Sequence, residues 1–196
     1  IGNLEWSSPC DWMCEDKALK ASGKTIAEHQ RLTLENFIEI RTIGSRTHFI
    51  PVLQGRTVAD YLRHAEQYER AGIDLRAEPR VGIGSVCRRQ VSGEAIEVIA
   101  AVAKLGLKIH AYGLSSAALG PASSLIVSAD SQAWSYAARY RGNKTKTSCG
   151  EYDESKTGRI LMPGHRHSSD PKKNDCRNCV VWALKWRSEL LATLPR

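Results

Sequence analysis

Short apolar blocks alternate along the chain with longer stretches in which apolar residues recur at helical spacing. Phe49 to Leu53 predicts a strand that ends at Gln54-Gly55. Thr57 to Ala71 then predicts a helix with Val58, Tyr61, Leu62, Ala65 and Tyr68 on one face. Val81 to Val86 reads as the next strand, and Gly93 to Leu105 as a helix turning Ile96, Ile99, Ala100 and Ala103 inward. Leu107 to Ala111 is a further strand with a short helix near Ser115 to Leu119 behind it; Leu125 to Ser128 is the last, followed by a helical stretch from Gln132 to Tyr140. At the front, Asn3 to Trp6 is a candidate strand. The helix after it, Thr25 to Ile40, opens with Thr25 at the N-cap and Glu28 three residues on, the capping-box pattern.

Strands separated by helices imply an α/β fold with a parallel sheet, and this order gives about five β/α units. The inner strands are apolar without strict alternation, as strands buried on both faces are. Polar residues and glycines follow the strands: Asp11, Gln54-Gly55, Gly84-Ser85, His110 with Gly113, and Asp130. The carboxyl ends of strands carry the site in a β/α barrel and line the crevice of a doubly wound sheet. Val81-Gly82-Ile83-Gly84 is GxG without the rest of a dinucleotide fingerprint, which favours the (β/α)8 TIM barrel. A whole barrel usually needs about 250 residues, so the 196 present predict its later strands only. The chain accordingly reads as beginning inside a domain.

From Arg141 to Asp175 the apolar periodicity stops, and Lys, Ser, Thr, Gly, Asp and His dominate. A final helix, Val180 to Leu191, follows, with Val181, Leu184, Leu191 and the Trp182/Trp186 pair supplying apolar faces. The expected organisation is a barrel part over 1–140, an inserted metal-binding segment over 141–179, and a last helix and tail over 180–196.

Composition narrows the function. A net charge of +7 suits a polyanionic partner such as nucleic acid. Arg88 with Arg89, Arg139 with Arg141, and Lys144 with Lys146 stand near predicted strand ends where they can meet phosphates, although a single such residue is more often an ordinary solvated charge. No apolar run is long enough to span a membrane. Six cysteines in a chain of this length, with no leader-like opening, fit a reducing cytoplasm better than a disulfide-stapled domain.

Three groups of residues can carry chemistry. Asp130, at the end of an apolar strand, is either a helix cap or a rigidly held nucleophile for a sugar anomeric carbon, and the two roles are compatible. Asp11, beside Trp12, is either a cap next to a core aromatic or the acceptor for a guanine-like amino–imino edge. Gln54 can offer its amide to a base carbonyl, and Gly55 and Gly84 let a flat ring approach the backbone. Such a pocket needs a base taken out of a duplex or from an unpaired stretch. Cys176 and Cys179 have CxxC spacing, with His165, His167 and Cys149 upstream; a structural zinc, a redox pair and plain core cysteines all answer to that pattern. Zinc is favoured because Arg141 to Asp175 lacks a core and needs another source of order.

In order, SPCDWMCE (8–15), FIPVLQG (49–55), VGIGSVCRRQ (81–90), IHAYG (109–113) and SADSQAW (128–134) resemble the tRNA-guanine transglycosylase superfamily. They are most similar to its phage and bacterial branch, the deazapurine DNA modification transglycosylases. The resemblance spans nearly the whole chain. It implies a pentosyltransferase that exchanges guanine for a 7-deazaguanine, such as a 7-cyano or 7-aminomethyl form, in DNA. It places the covalent nucleophile on Asp130, the base-edge carboxylate on Asp11, the base-contacting glutamine on Gln54 and the glycine-containing backbone site on Gly84 and Ser85. The family's final two zinc cysteines fall on Cys176 and Cys179, but the cysteine two residues earlier is here Asn174 and no His follows Cys179. The family's second essential aspartate, in an Asp-Ser-Gly-Gly-like stretch, has no match and is expected before Ile1. Two other readings remain: a tRNA-guanine transglycosylase, and a non-catalytic, zinc-stabilised nucleic-acid-binding module.

Overall fold

A computed structural model describes residues 4–44, 46–87, 93–132, 134–135 and 180–194. They belong to two compact units, Ile1–Asp130 and Ser131–Arg196.

The first unit is α/β with parallel strands throughout. In chain order it contains β1 (Trp6–Ser7), α1 (Asp16–Ser22), α2 (Ile26–Thr42), β2 (His48–Phe49), β3 (Val52–Leu53), α3 (Val58–Arg70), β4 (Val81–Ile83), α4 (Glu94–Ala103), β5 (Ile109–Ala111), α5 (Ser116–Ala122) and β6 (Ser128–Ala129). β1 pairs with β2, and β3, β4, β5 and β6 pair in sequence order. The single strand expected over Phe49 to Leu53 is therefore two. Pro51, lacking an N–H, interrupts it. Ladder bonds nevertheless run on through the break, from Ile50 N–H to the Ser7 carbonyl at 2.9 Å and from Gly82 N–H to the Pro51 carbonyl at 2.8 Å. Five parallel strand positions thus lie side by side, each followed by helix except the last described.

Local chemistry explains the helices. Thr25 caps α2 and Thr57 caps α3, each in a complete capping box, with Glu28 and Asp60 returning a bond to the cap backbone. Ser115 caps α5 by accepting from Ala118 N–H. α4 follows Gly93 in the left-handed conformation. The expected inward face of α4 is corrected: Ala95, Val98, Ile99 and Val102 are buried, while Ile96 and Ala103 are only partly so. That helix is apolar on most of its circumference, so packing between α3 and α5 sets its rotation, not periodicity.

Register sorts the strand residues into two faces. Leu53, Ile83, Ala111 and Ala129 are in line across four strands and pack with the helices in the core that also holds Tyr61, Tyr68, Ile99 and Val102. Val52, Gly82, His110 and Ser128 are in line on the opposite face.

In the second unit, α6 (Val180–Thr193) is the expected final helix. Leu184 and Leu191, two of the residues expected to give it apolar faces, are exposed. No helix among the described residues is long and apolar enough to cross a membrane.

Candidate active site at the strand ends

Two residues beyond the row Val52–Gly82–His110–Ser128 stand Gln54, Gly84, Tyr112 and Asp130, on the same face and at the carboxyl ends of β3 to β6. Ladder bonds carry the register across the end, from Gly84 N–H to the Leu53 carbonyl and from Tyr112 N–H to the Ile83 carbonyl. Three of the four are residues singled out from the sequence. The fourth, Tyr112, was not, although it stands two positions after His110, the spacing at which a strand repeats a face.

Asp130 ends β6 with about half of its side chain exposed. Its Oδ1 accepts from Gly113 N–H at 2.9 Å, and its backbone carbonyl accepts from Leu114 N–H at 3.1 Å. Gly113 has φ +65°, and a Cβ there would meet the Cβ of Cys87 at 2.9 Å, so the turn that delivers this N–H requires glycine. His110 Nε2 lies 3.6 Å from Oδ1, and its Nδ1 is 2.9 Å from Ser128 Oγ. The ring is wedged edge-on between Trp6, 4.7 Å away, and Tyr112, 4.5 Å away. The neighbouring His110 is the main cause that holds the Asp130 carboxyl below the usual carboxylate range, and the Gly113 N–H adds to it against partial burial.

Asp11 has the opposite environment. Burial pushes its carboxyl up, against hydrogen bonds from its own backbone N–H and from Gln54. Gln54 Nε2 donates to Asp11 Oδ2. Gln54 Oε1 accepts from Ser85 Oγ at 2.6 Å, and Ser85 Oγ accepts from Cys14 N–H at 2.8 Å. Ser85 holds φ +57°, a left-handed backbone unusual for a residue with a side chain. On the other side of Asp11, Thr33 of α2 accepts from Trp12 N–H at 2.8 Å.

The two glycines have filled surroundings. A Cβ at Gly84 would lie 2.2 Å from Gln54 Nε2, and one at Gly55 would lie 2.7 Å from the Asp60 Cβ. The Gly84 N–H is taken by Leu53, and its carbonyl accepts from Tyr61 Oη at 2.7 Å. Gly84 therefore gives room to the Gln54 amide, and Gly55 gives room to the first turn of α3. Gln54 itself has no exposed surface.

Beneath the row lie polar side chains that sequence periodicity alone assigns to helix faces. Gln30 of α2 donates to the Gln54 carbonyl at 2.7 Å and to the Asp60 carbonyl at 2.9 Å. His64 of α3 accepts from Gln54 N–H at 2.8 Å through Nδ1, and its burial drives its pKa down to about 4. For His64 the available signal was a polar position among Tyr61, Ala65 and Tyr68 on one helix face; Gln30 gave no such signal, because α2 also buries His29 and Thr33.

The structure thus brings together Asp11, Gln54, Gly84 and Ser85 in one group, and His110, Gly113 and Asp130 in a second along the same strand ends. Arg88, Arg89, Arg139, Arg141, Lys144 and Lys146 lie outside the described residues, as do Cys149, His165, His167, Cys176 and Cys179. Among the described residues, no three His, Cys, Asp or Glu side chains assemble into a metal-binding group.

Fold and site define an α/β protein with its polar chemistry collected at the carboxyl ends of a parallel sheet, where one carboxylate is held ionised and another is desolvated. The chain belongs to the DpdA family, DeoxyPurine in DNA protein A, whose family model matches residues 1–196. No curated protein matches it.

Proposed function

We propose that the protein exchanges guanine in DNA for a 7-deazaguanine base through a covalent glycosyl–aspartate on Asp130. The observation that carries this reading is the shared row of Gln54, Gly84, Tyr112 and Asp130, with Asp11 bonded to Gln54. The family name, a deoxypurine in DNA, supplies the substrate class. Opposite environments for two carboxylates divide the labour, as acid and base roles are divided elsewhere. Asp130, ionised and exposed, is suited to attack; Asp11, desolvated, is suited to exchange its hydration for the N–H groups of a base.

In the first step an Asp130 oxygen attacks C1′ of the target nucleotide. The C1′–N9 bond breaks, its electron pair goes to N9, and guanine leaves after taking a proton from solvent. In the second, N9 of the entering deazaguanine attacks C1′ on the face that guanine left, opposite Asp130; the C1′–O bond breaks, its electron pair restores the Asp130 carboxylate, and the N9 proton passes to solvent. Double displacement retains configuration. His110 and Gly113 aim and ionise the nucleophile. Asp11 reads the base edge, with Gln54, Gly84 and Ser85 as its support.

The wider assignments belong to the same proposal. The five strand positions are the later part of a (β/α)8 barrel. The segment 141–179 is an insertion held by a structural zinc on Cys176, Cys179 and upstream Cys149, His165 or His167. Arg88, Arg89, Arg139 and Arg141 meet phosphates.

The test incubates the protein with guanosine-containing DNA or with tRNA and isotopically labelled guanine, then digests the nucleic acid and weighs its nucleosides. Label in deoxyguanosine is the expected result. Label in tRNA alone would move the activity to tRNA, and label in neither would overturn the exchange.

A further inference from the structure

The hydrogen bonds through Ser85 have a direction. Its Oγ accepts from Cys14 N–H and donates to the Gln54 oxygen 2.6 Å away. The Asp11 carboxylate, which only accepts, takes the Gln54 Nε2, and this turns Oε1 towards the Ser85 hydroxyl. Every link from Cys14 to Asp11 then points the same way, and it terminates on a carboxylate that only accepts.

We infer that Ser85 is a positioning residue that locks the Gln54 amide so that Asp11 meets its ligand as a hydrogen-bond acceptor, selecting a base edge made of N–H donors. This rests on the reading of the site as a base pocket. The Gln54 N–H bonds a charged Asp11 oxygen more strongly than the oxygen of a neutral carboxyl, so it favours the carboxylate. Turning the amide over would take the acceptor from the Ser85 hydroxyl. The chain therefore opposes protonation of Asp11 in a place where burial favours it. Among the described residues, the other titratable groups that interact with Asp11 are the phenols of Tyr68 on α3 and Tyr112 after β5, and burial raises both, Tyr112 to about 12, so neither competes as a charge near neutrality. A guanine-type edge presents N1–H and a 2-amino group, both donors. An adenine edge presents a bare N1 and faces the carboxylate with a lone pair.

Ser85 also carries its side chain at φ +57°, where glycine is the comfortable residue. Ser85→Gly removes the hydroxyl while relieving the backbone, so loss of the hydrogen-bond chain separates from loss of the fold. The experiment titrates the full chain by NMR with 13C at the aspartate carboxyl carbon, assigning Asp11 from the signal missing in Asp11→Asn. In Ser85→Gly the Asp11 midpoint is expected to rise by about half a pH unit or more, on the scale of one hydrogen bond. In a Gln54→Ala background, Ser85→Gly is expected to add no further rise, because the link it acts through is gone. Guanine binding at pH 7 is expected to weaken about tenfold in Ser85→Gly, with circular dichroism and Tm preserved. An unchanged midpoint, or equal rises in the presence and absence of Gln54, would overturn the inference. A rise as expected in a wild-type protein that binds no guanine would retain the hydrogen-bond chain and overturn the base-pocket reading instead.

Discussion

Asp11 and Asp130 carry the same functional group, and the difference between them comes from what each loop brings to it. Asp130 receives a backbone N–H from Gly113 and a histidine edge, which favour its charge; Asp11 receives burial, which does not. The same logic makes Gly84 a sensitive position. Gly84→Ala would place a Cβ 2.2 Å from Gln54 Nε2, and backbone and strand cannot yield, so the amide must move off Asp11. The expected cost is about 1–3 kcal/mol in urea unfolding, the scale of overpacking, together with loss of guanine binding. A variant that binds guanine normally would show that Gln54 is not the support of Asp11. Of these residues, Gln54, Gly84 and Asp130 could be read from the chain, because each is a polar residue or glycine at the end of an apolar block, and Asp11 through its place in SPCDWMCE. Tyr112 could not, since an aromatic inside IHAYG reads as core until the register shows which face it shares. The role of Gly84 was visible only as permission for close approach, and the partner turned out to be the Gln54 side chain.

At the scale of elements, α2 and α3 do more than cover the sheet. Each starts at a capping box, Thr25 with Glu28, which was read from the sequence, and Thr57 with Asp60, which was not singled out there, and each sends a polar side chain to the backbone of Gln54. The capping residues are local and hence readable. The reach of Gln30 and His64 to a strand end is long-range and hence is not. The rotation of α4 was missed for a related reason: with apolar residues almost all round, no stripe marks its inner face. His64 makes the α3–β3 junction sensitive to acid. Its folded pKa of about 4 lies below the ordinary 6.5, so between these values the unfolded chain binds more protons. Its contribution is complete above pH 6.5 and is lost as pH falls towards 4, by up to about 3 kcal/mol. Urea midpoints measured from pH 7.5 down to 4.5 are expected to fall for the wild type and to fall less steeply for His64→Gln. Parallel slopes would remove His64 from the acid response.

For the molecule as a whole, the alternation of apolar blocks and amphipathic stretches was enough to give parallel β/α order, and the described strands follow it. What pattern alone could not give was the break at Pro51 or the true strand lengths, because backbone pairing across the sheet decides both. Under the proposed function, the charge of +7 and the polar groups at the strand ends would together bring a nucleotide of DNA to Asp130. The most direct test is to trap the enzyme on guanosine-containing DNA by acid quench, isolate the denaturation-resistant protein–DNA species and locate the attached sugar by peptide mass spectrometry. The account predicts an adduct on Asp130 in the wild type and none in Asp130→Asn, which still binds guanine. An adduct that persists in Asp130→Asn, or that maps to another residue, would contradict it.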